Sequence, residues 1–144
     1  MFKIGDSVLK NFKYSQEDVI NFAKISGDMN PIHLDKEYSK NTIFKKPIIH
    51  GFLGGSIFSK ILSESFWGEG TIYLSQNLIF KRPMFVEIEY LAKLTIIEIN
   101  ESKNISKFET IIFEENNKIV INGEAIIKYP KKNGMILIMT KQKN

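Results

Sequence analysis

The chain contains only two histidines, His33 and His50, and both fall in the stretch from Phe22 to Leu62. His33 follows a turn, Ser26-Gly27-Asp28-Met29-Asn30-Pro31, which sets a carboxylate five positions upstream of the imidazole. Gly27 and Pro31 bend the chain between Asp28 and His33, so both side chains can face one small volume. A carboxylate and a neutral imidazole holding one water form an acid–base couple that can move a proton near neutral pH. A plainer reading stands beside this one. Asp and Asn are common turn residues, and Asp28 can serve only to cap backbone N–H groups.

His50-Gly51 opens the most apolar helical run of the sequence. The first turn of a helix carries unpaired N–H groups and a partial positive charge. A glycine there lets a carbonyl oxygen approach the backbone, an arrangement suited to an enolate-like oxyanion. The alternative is a tight loop-to-helix turn with no chemistry. Ser59, two turns further on, is either a polar anchor near such a site or simply a small helix residue.

These groups need elements to hold them. Val8 to Tyr14 reads as an opening strand. Ser15-Gln16-Glu17-Asp18 has the cap and acids of a helix start, and Val19, Ile20, Phe22, Ala23 and Ile25 give that helix an apolar face. Gly27 can take the positive φ that ends it, and Pro31 is expected to keep it from resuming. Leu34 to Lys40 reads as a short polar helix and Thr42 to Pro47 as a loop. Gly51 to Phe66 predicts a long helix, with Phe52, Leu53, Ile57, Phe58, Ile61 and Leu62 as its apolar stripe. Gly54 and Gly55 lower helix propensity by roughly 1 kcal/mol each. Something must therefore come close to this helix, either a packed strand or a ligand. From Thr71 the pattern turns to β. Thr71–Phe80, Glu87–Ile99, Ser106–Glu114 and Lys118–Tyr129 are rich in β-branched and aromatic residues, and short polar connections such as Asn100–Asn104 and Glu115–Asn117 suit antiparallel hairpins. The sum is an α+β domain, a helix-bearing N-terminal half followed by an antiparallel sheet. Its expected extent is 1–130, with 131–144 as a tail whose apolar run Met135–Met139 is either one more strand or a docked segment.

The bulk properties narrow the classes. A chain of 144 residues suits one domain. It has no cysteine, which removes disulfides and thiolate metal sites and makes a reducing cytoplasm the expected location. Two histidines with scattered carboxylates do not make a structural zinc site, so no metal is expected. No apolar run reaches the roughly 18–20 residues of a membrane span, and the N-terminus lacks a signal-peptide profile. The net charge of +4 is spread out, with no basic stripe of the kind that binds nucleic acid.

The run from Phe22 to Ser39 resembles the hydratase-2 motif of the MaoC-like (R)-specific enoyl-CoA hydratases. The matching residues are Phe22, Ile25-Ser26-Gly27-Asp28, Asn30-Pro31-Ile32-His33 and Ser39. Phe44, Pro47-Ile48, His50-Gly51, Ser59 and Phe80-x-x-Pro83 extend the resemblance to about Tyr129. It implies a single hotdog domain, in which a long central helix is wrapped by a curved antiparallel sheet, and a homodimer. It implies reversible addition of water to a trans-2-enoyl thioester, giving a (3R)-3-hydroxyacyl thioester, with no cofactor beyond the coenzyme A or acyl carrier of the substrate. By position, Asp28 and His33 would be the catalytic pair, and the Gly51 N–H would bind the thioester carbonyl. Ser59 would support the site, Asn30 would shape the loop, and His50 would shape the turn. Lys45, Lys46, Lys81 and Arg82 are candidates for the carrier's phosphates. The same residues leave two alternatives: a 3-hydroxyacyl-thioester dehydratase working in reverse, and a non-catalytic acyl-thioester-binding protein. A thioesterase would need a carboxylate early on the central helix, and Gly51–Phe58 carries none.

Overall fold

The computed structural model describes residues 1–131. The tail beyond, with the expected extra strand at 135–139, lies outside the described residues. Strand β1 (Ser7–Phe12) is followed by three helices, α1 (Gln16–Ser26), α2 (Pro31–Leu34) and α3 (Lys36–Lys40). After a loop come α4 (Gly51–Gly55) and α5 (Ile57–Glu64). The rest is β: β2 (Ile72–Gln76), β3 (Ile79–Phe80), β4 (Tyr90–Asn100), β5 (Ile105–Phe113) and β6 (Ile119–Lys128). All strand pairings are antiparallel, in the order β1-β4-β5-β6-β2, with β3 continuing the β2 edge along β6. This is the α+β hotdog arrangement, with an open six-stranded sheet.

Local chemistry sets the helix ends. Ser15 caps α1 through a reciprocal box with Asp18, and Gly27 ends it at φ 80°, where only glycine is unstrained. Pro31 does not simply block helix, as the sequence suggested. It starts α2, because at the first position of a helix its missing N–H costs nothing and its fixed φ is already helical. Asp35 then caps α3 separately, so the polar helix expected over Leu34 to Lys40 forms as Lys36–Lys40, and Leu34 belongs to α2 instead.

The long central helix is also interrupted. Ser56 Oγ donates to the Leu53 carbonyl at 2.6 Å, and this side-chain bond competes with the regular ladder where two glycines have already weakened it. The regular helix is interrupted for one residue between α4 and α5, although Ser56 keeps helical dihedrals. Leu53, Ile57, Phe58, Ile61 and Leu62 are buried as the stripe required, and they pack with Leu94, Ile96, Phe108, Ile112, Ile121 and Ile127 of the sheet. Phe52 departs from the stripe and is 72% exposed. The glycines are explained by close approach of side chains. A Cβ on Gly54 would stand 2.7 Å from Met84 Sδ, and one on Gly55 would stand 2.7 Å from Leu78 Cδ1. The packing reading of these glycines therefore holds.

Candidate active site

The chain brings Asp28, His33, His50 and Gly51 together through main-chain ties. Asn30 caps α2 by accepting from Ile32 N–H through Oδ1, and this orients the turn that carries His33. The segment before α4 runs alongside that turn. Ile48 N–H donates to the Ile32 carbonyl at 3.2 Å, and Ile49 N–H donates to the Met84 carbonyl at 2.8 Å. His33 and His50 are thereby stacked, with ring centroids 3.8 Å apart and planes inclined by 28°.

Hydrogen bonds fix the state of each group. His33 Nδ1 lies 2.8 Å from the Ile48 carbonyl. A carbonyl oxygen only accepts, so Nδ1 carries the proton and Nε2 of the neutral ring presents a lone pair. Burial, the largest cause, pushes the His33 pKa below 6.5; the nearby His50 ring lowers it further, while the Ile48 carbonyl and Asp28 pull it upward. Asp28 is half-exposed. Its Oδ1 accepts from Asn30 N–H at 3.2 Å. Its Oδ2 stands 3.9 Å from His33 Nε2 and 3.9 Å from His50 Nε2, outside direct hydrogen-bonding reach of both. Asn30 thus does more than shape the loop, since it holds one oxygen of Asp28 and leaves the other free.

His33 and Gly51 line a cavity of about 450 Å³ with Ile48, Phe80, Met84 and Ile121. Gly51 opens α4, where no intrahelical acceptor exists for its N–H. A Cβ at Gly51 would stand 2.7 Å from the Phe80 ring, so glycine is what allows Phe80 to lie against the start of α4. Lys81 and Arg82 are at the same cavity. Arg82 is partly committed, donating to the Ile119 carbonyl and lying 3.5 Å from Glu114. Lys46 sits over the Phe85 ring instead, and Lys45 is exposed and does not line the cavity. Ser59 is exposed on α5 and is likewise absent from the cavity wall.

Two features were missed in the sequence. One is the contact of Phe80 with Gly51, which joins residues far apart in the chain; Phe80-x-x-Pro83 was the signal, since Phe80 and Pro83 both line the cavity. The other is the placement of His50 against both members of the pair, discussed below. Asp28, His33 and His50 offer donor atoms within 4.8 Å of one another, as a metal site would need. The donor set does not fit one. His50 Nε2 faces the Asp28 carbonyl at 3.0 Å and must donate there, which leaves it no lone pair for a cation.

The comparisons with known proteins point to one family. The MaoC like domain family matches residues 3–120. The (R)-specific enoyl-CoA hydratase of Aeromonas caviae is 37% identical over 128 residues, 89% of this chain and 96% of that protein. A mitochondrial 3-hydroxyacyl-[acyl-carrier-protein] dehydratase of Arabidopsis thaliana is 36% identical over 133 residues, 90% of this chain and 79% of that one. Among solved structures, the A. caviae (R)-hydratase superposes with a TM-score of 0.86 at 36% identity, covering 90% of this chain and 98% of that one. R-hydratase PhaJ1 of Pseudomonas aeruginosa gives 0.85 at 33% identity, covering 94% and 88%. With a family match over most of its length and the turn, pair and cavity in place, the chain belongs to the MaoC-like domain family.

Proposed function

We propose that this protein is an (R)-specific enoyl-CoA hydratase, a hydro-lyase that adds water reversibly to a trans-2-enoyl thioester to give the (3R)-3-hydroxyacyl thioester. The observation that carries this reading is the gap between Asp28 Oδ2 and His33 Nε2. At 3.9 Å it is too long for a direct hydrogen bond and suits one bridging water. His33 lines a cavity that also holds Gly51 at the start of α4, and Asp28 stands behind His33 rather than in the cavity wall.

In this scheme the water oxygen adds to C3 of the substrate, and one water proton passes to the Asp28–His33 pair. The electrons of the C2=C3 bond move onto the thioester oxygen, which the Gly51 N–H receives as an enolate. The enolate collapses as C2 takes a proton from the pair. The net change is H and OH added across one double bond. Asp28 and His33 act on one proton and are treated as a coupled unit. His33 enters with Nε2 unprotonated, as its bond to Ile48 requires. Asn30 holds Asp28. Ser59, exposed on α5 and away from the cavity wall, makes no contact in this scheme. Lys81 and Arg82 suit the phosphates of the carrier. No cofactor enters, because the thioester supplies the electron sink.

The test is crotonyl-CoA. Loss of the enoyl-thioester absorbance without free thiol supports hydration, and an S-specific 3-hydroxyacyl-CoA dehydrogenase should then give no NADH. Free thiol would mean a thioesterase, and no change would favour a binding protein. The second reading, a 3-hydroxyacyl-thioester dehydratase, uses the same steps in reverse; the Arabidopsis relative of that name favours it. Comparison of kcat/KM on CoA and acyl-carrier substrates separates the two.

The same reading includes a homodimer in the cytoplasm. The β2–β3 edge exposes Ile72, Leu74, Ile79 and Phe80, an open and apolar strand edge of the kind that proteins pair. Light scattering at micromolar concentration should give twice 16.6 kDa or a multiple of that, and a monomer mass would overturn it. The absence of cysteine fits a reducing compartment. Among the described residues, no helix is long and apolar enough to cross a membrane.

A further inference from the structure

His50 occupies a place where an imidazole is a costly choice. Its side chain is 2% exposed, and its Nδ1 is buried with no hydrogen-bond partner. An unpaired buried polar atom is destabilising, a cost that a phenyl ring in the same place would not carry. The ring packs on Phe22 at 4.9 Å and on His33 at 3.8 Å between centroids. Its one polar contact is Nε2, 3.0 Å from the backbone carbonyl of Asp28. The Asp28 carboxylate is further away, at 3.9 Å, so the main chain and not the carboxylate takes the proton of Nε2. The two stacked imidazoles therefore hold opposite tautomers. His33 donates from Nδ1 to Ile48, and His50 donates from Nε2 to Asp28.

We infer that His50 is the positioning residue of the pair: its Nε2–H fixes the main chain of Asp28 and its ring face fixes the imidazole of His33. It touches both members of the pair, lies next in sequence to Gly51, and is absent from the cavity wall. Without it the Asp28 turn is held by the bonds of its own side chain and of its N–H to Ser26, none of which reaches α4. The buried, unpaired Nδ1 is then the cost of placing a donor at Nε2.

The kinetic arm of the test rests on the hydratase reading; the spectroscopic arm does not. With two histidines in the chain, a long-range ¹⁵N–¹H correlation spectrum of the wild-type protein at mildly alkaline pH should show one Nδ1–H ring and one Nε2–H ring. The spectrum of a His50 variant assigns them by loss of the Nε2–H set. On crotonyl-CoA, His50→Phe keeps the ring face and loses the donor. Its kcat should fall ~10–100-fold with KM changed by no more than about threefold, while its melting temperature holds or rises. His50→Gln puts an amide N–H near the place of Nε2 and should recover about tenfold of that loss. An Nδ1–H tautomer for His50 overturns the inference, even if His50→Phe fails to fold. So does a folded His50→Phe with wild-type kcat, or a His50→Gln no better than His50→Phe. Wild-type protein that leaves crotonyl-CoA unchanged refutes the hydratase reading instead, and the tautomers still decide the role of His50.

Discussion

Asp28→Asn separates chemistry from folding more sharply than any other change here. In the native turn, Oδ1 of Asp28 accepts from Asn30 N–H at 3.2 Å, and an asparagine Oδ1 keeps that bond. Oδ2 has no hydrogen bond to lose, since both imidazole nitrogens stand 3.9 Å away. The side chain is 52% exposed, so the new amide can be hydrated. The folding cost should then be no more than about 1 kcal/mol, a loss of roughly 2–4 °C in melting temperature for a chain of this size. The rate should behave differently. An amide cannot take up a water proton, so the water in the gap loses its carboxylate partner. Removing a positioned acid–base group costs ~10²–10⁴ in rate, or about 2.7–5.5 kcal/mol of barrier. The assay is kcat on crotonyl-CoA beside a thermal melt. A folded Asp28→Asn protein with kcat within about threefold of wild type would refute the acid–base role. Asp28 would then be a turn residue, and the gap to His33 would have no catalytic meaning.

His33→Ala should lose activity on the same ~10²–10⁴ scale, and the double variant with Asp28→Asn should be little worse than either single, because both act on one water; additive losses in kcat would separate their roles. Burial lowers the His33 pKa, so the acid limb of kcat/KM should have its midpoint below 6.5, with activity full above it and lost as the pH falls through it. A midpoint above 6.5 would contradict that environment. Folding stability should fall over the same window, as the pH drops from 6.5 through the lower folded value, because the unfolded chain binds that proton first. Gly123→Ala should destabilise by about 1–3 kcal/mol, since its Cβ would run into the Asn77 carbonyl oxygen where β2 gives way to β3. A melt within a degree or so of wild type would mean that this crossing is looser than drawn.

The sequence by itself determined the elements whose causes are local. Ser15 with Asp18 and Gly27 bound α1 because caps and a positive φ act within a few residues. Three of the four β runs after Thr71 were legible from their branched and aromatic residues, and the polar breaks after Asn100 and at Glu115–Asn117 fell at the observed hairpins; the first run, Thr71–Phe80, divides into β2 and β3 at Asn77 and Leu78. The turn from Ser26 to His33 and the helix start at His50-Gly51 were legible as local structure for the same reason: their residue types and spacing are set within single short stretches. What needed the tertiary structure was every relation between such stretches. The burial of His50 against His33 depends on the loop before α4 running beside α2 through Ile48 and Ile32. The break at Ser56 depends on a side chain turning back on its own helix, and the exposure of Phe52 follows from which face that helix gives to the sheet. Ser59 misses the cavity because it lies on the exposed face of α5, and the arrival of Phe80 against Gly51 comes from the path of the chain through β3. Spacing along a chain says which groups can meet; only packing decides the 3.9 Å at which Asp28 and His33 do.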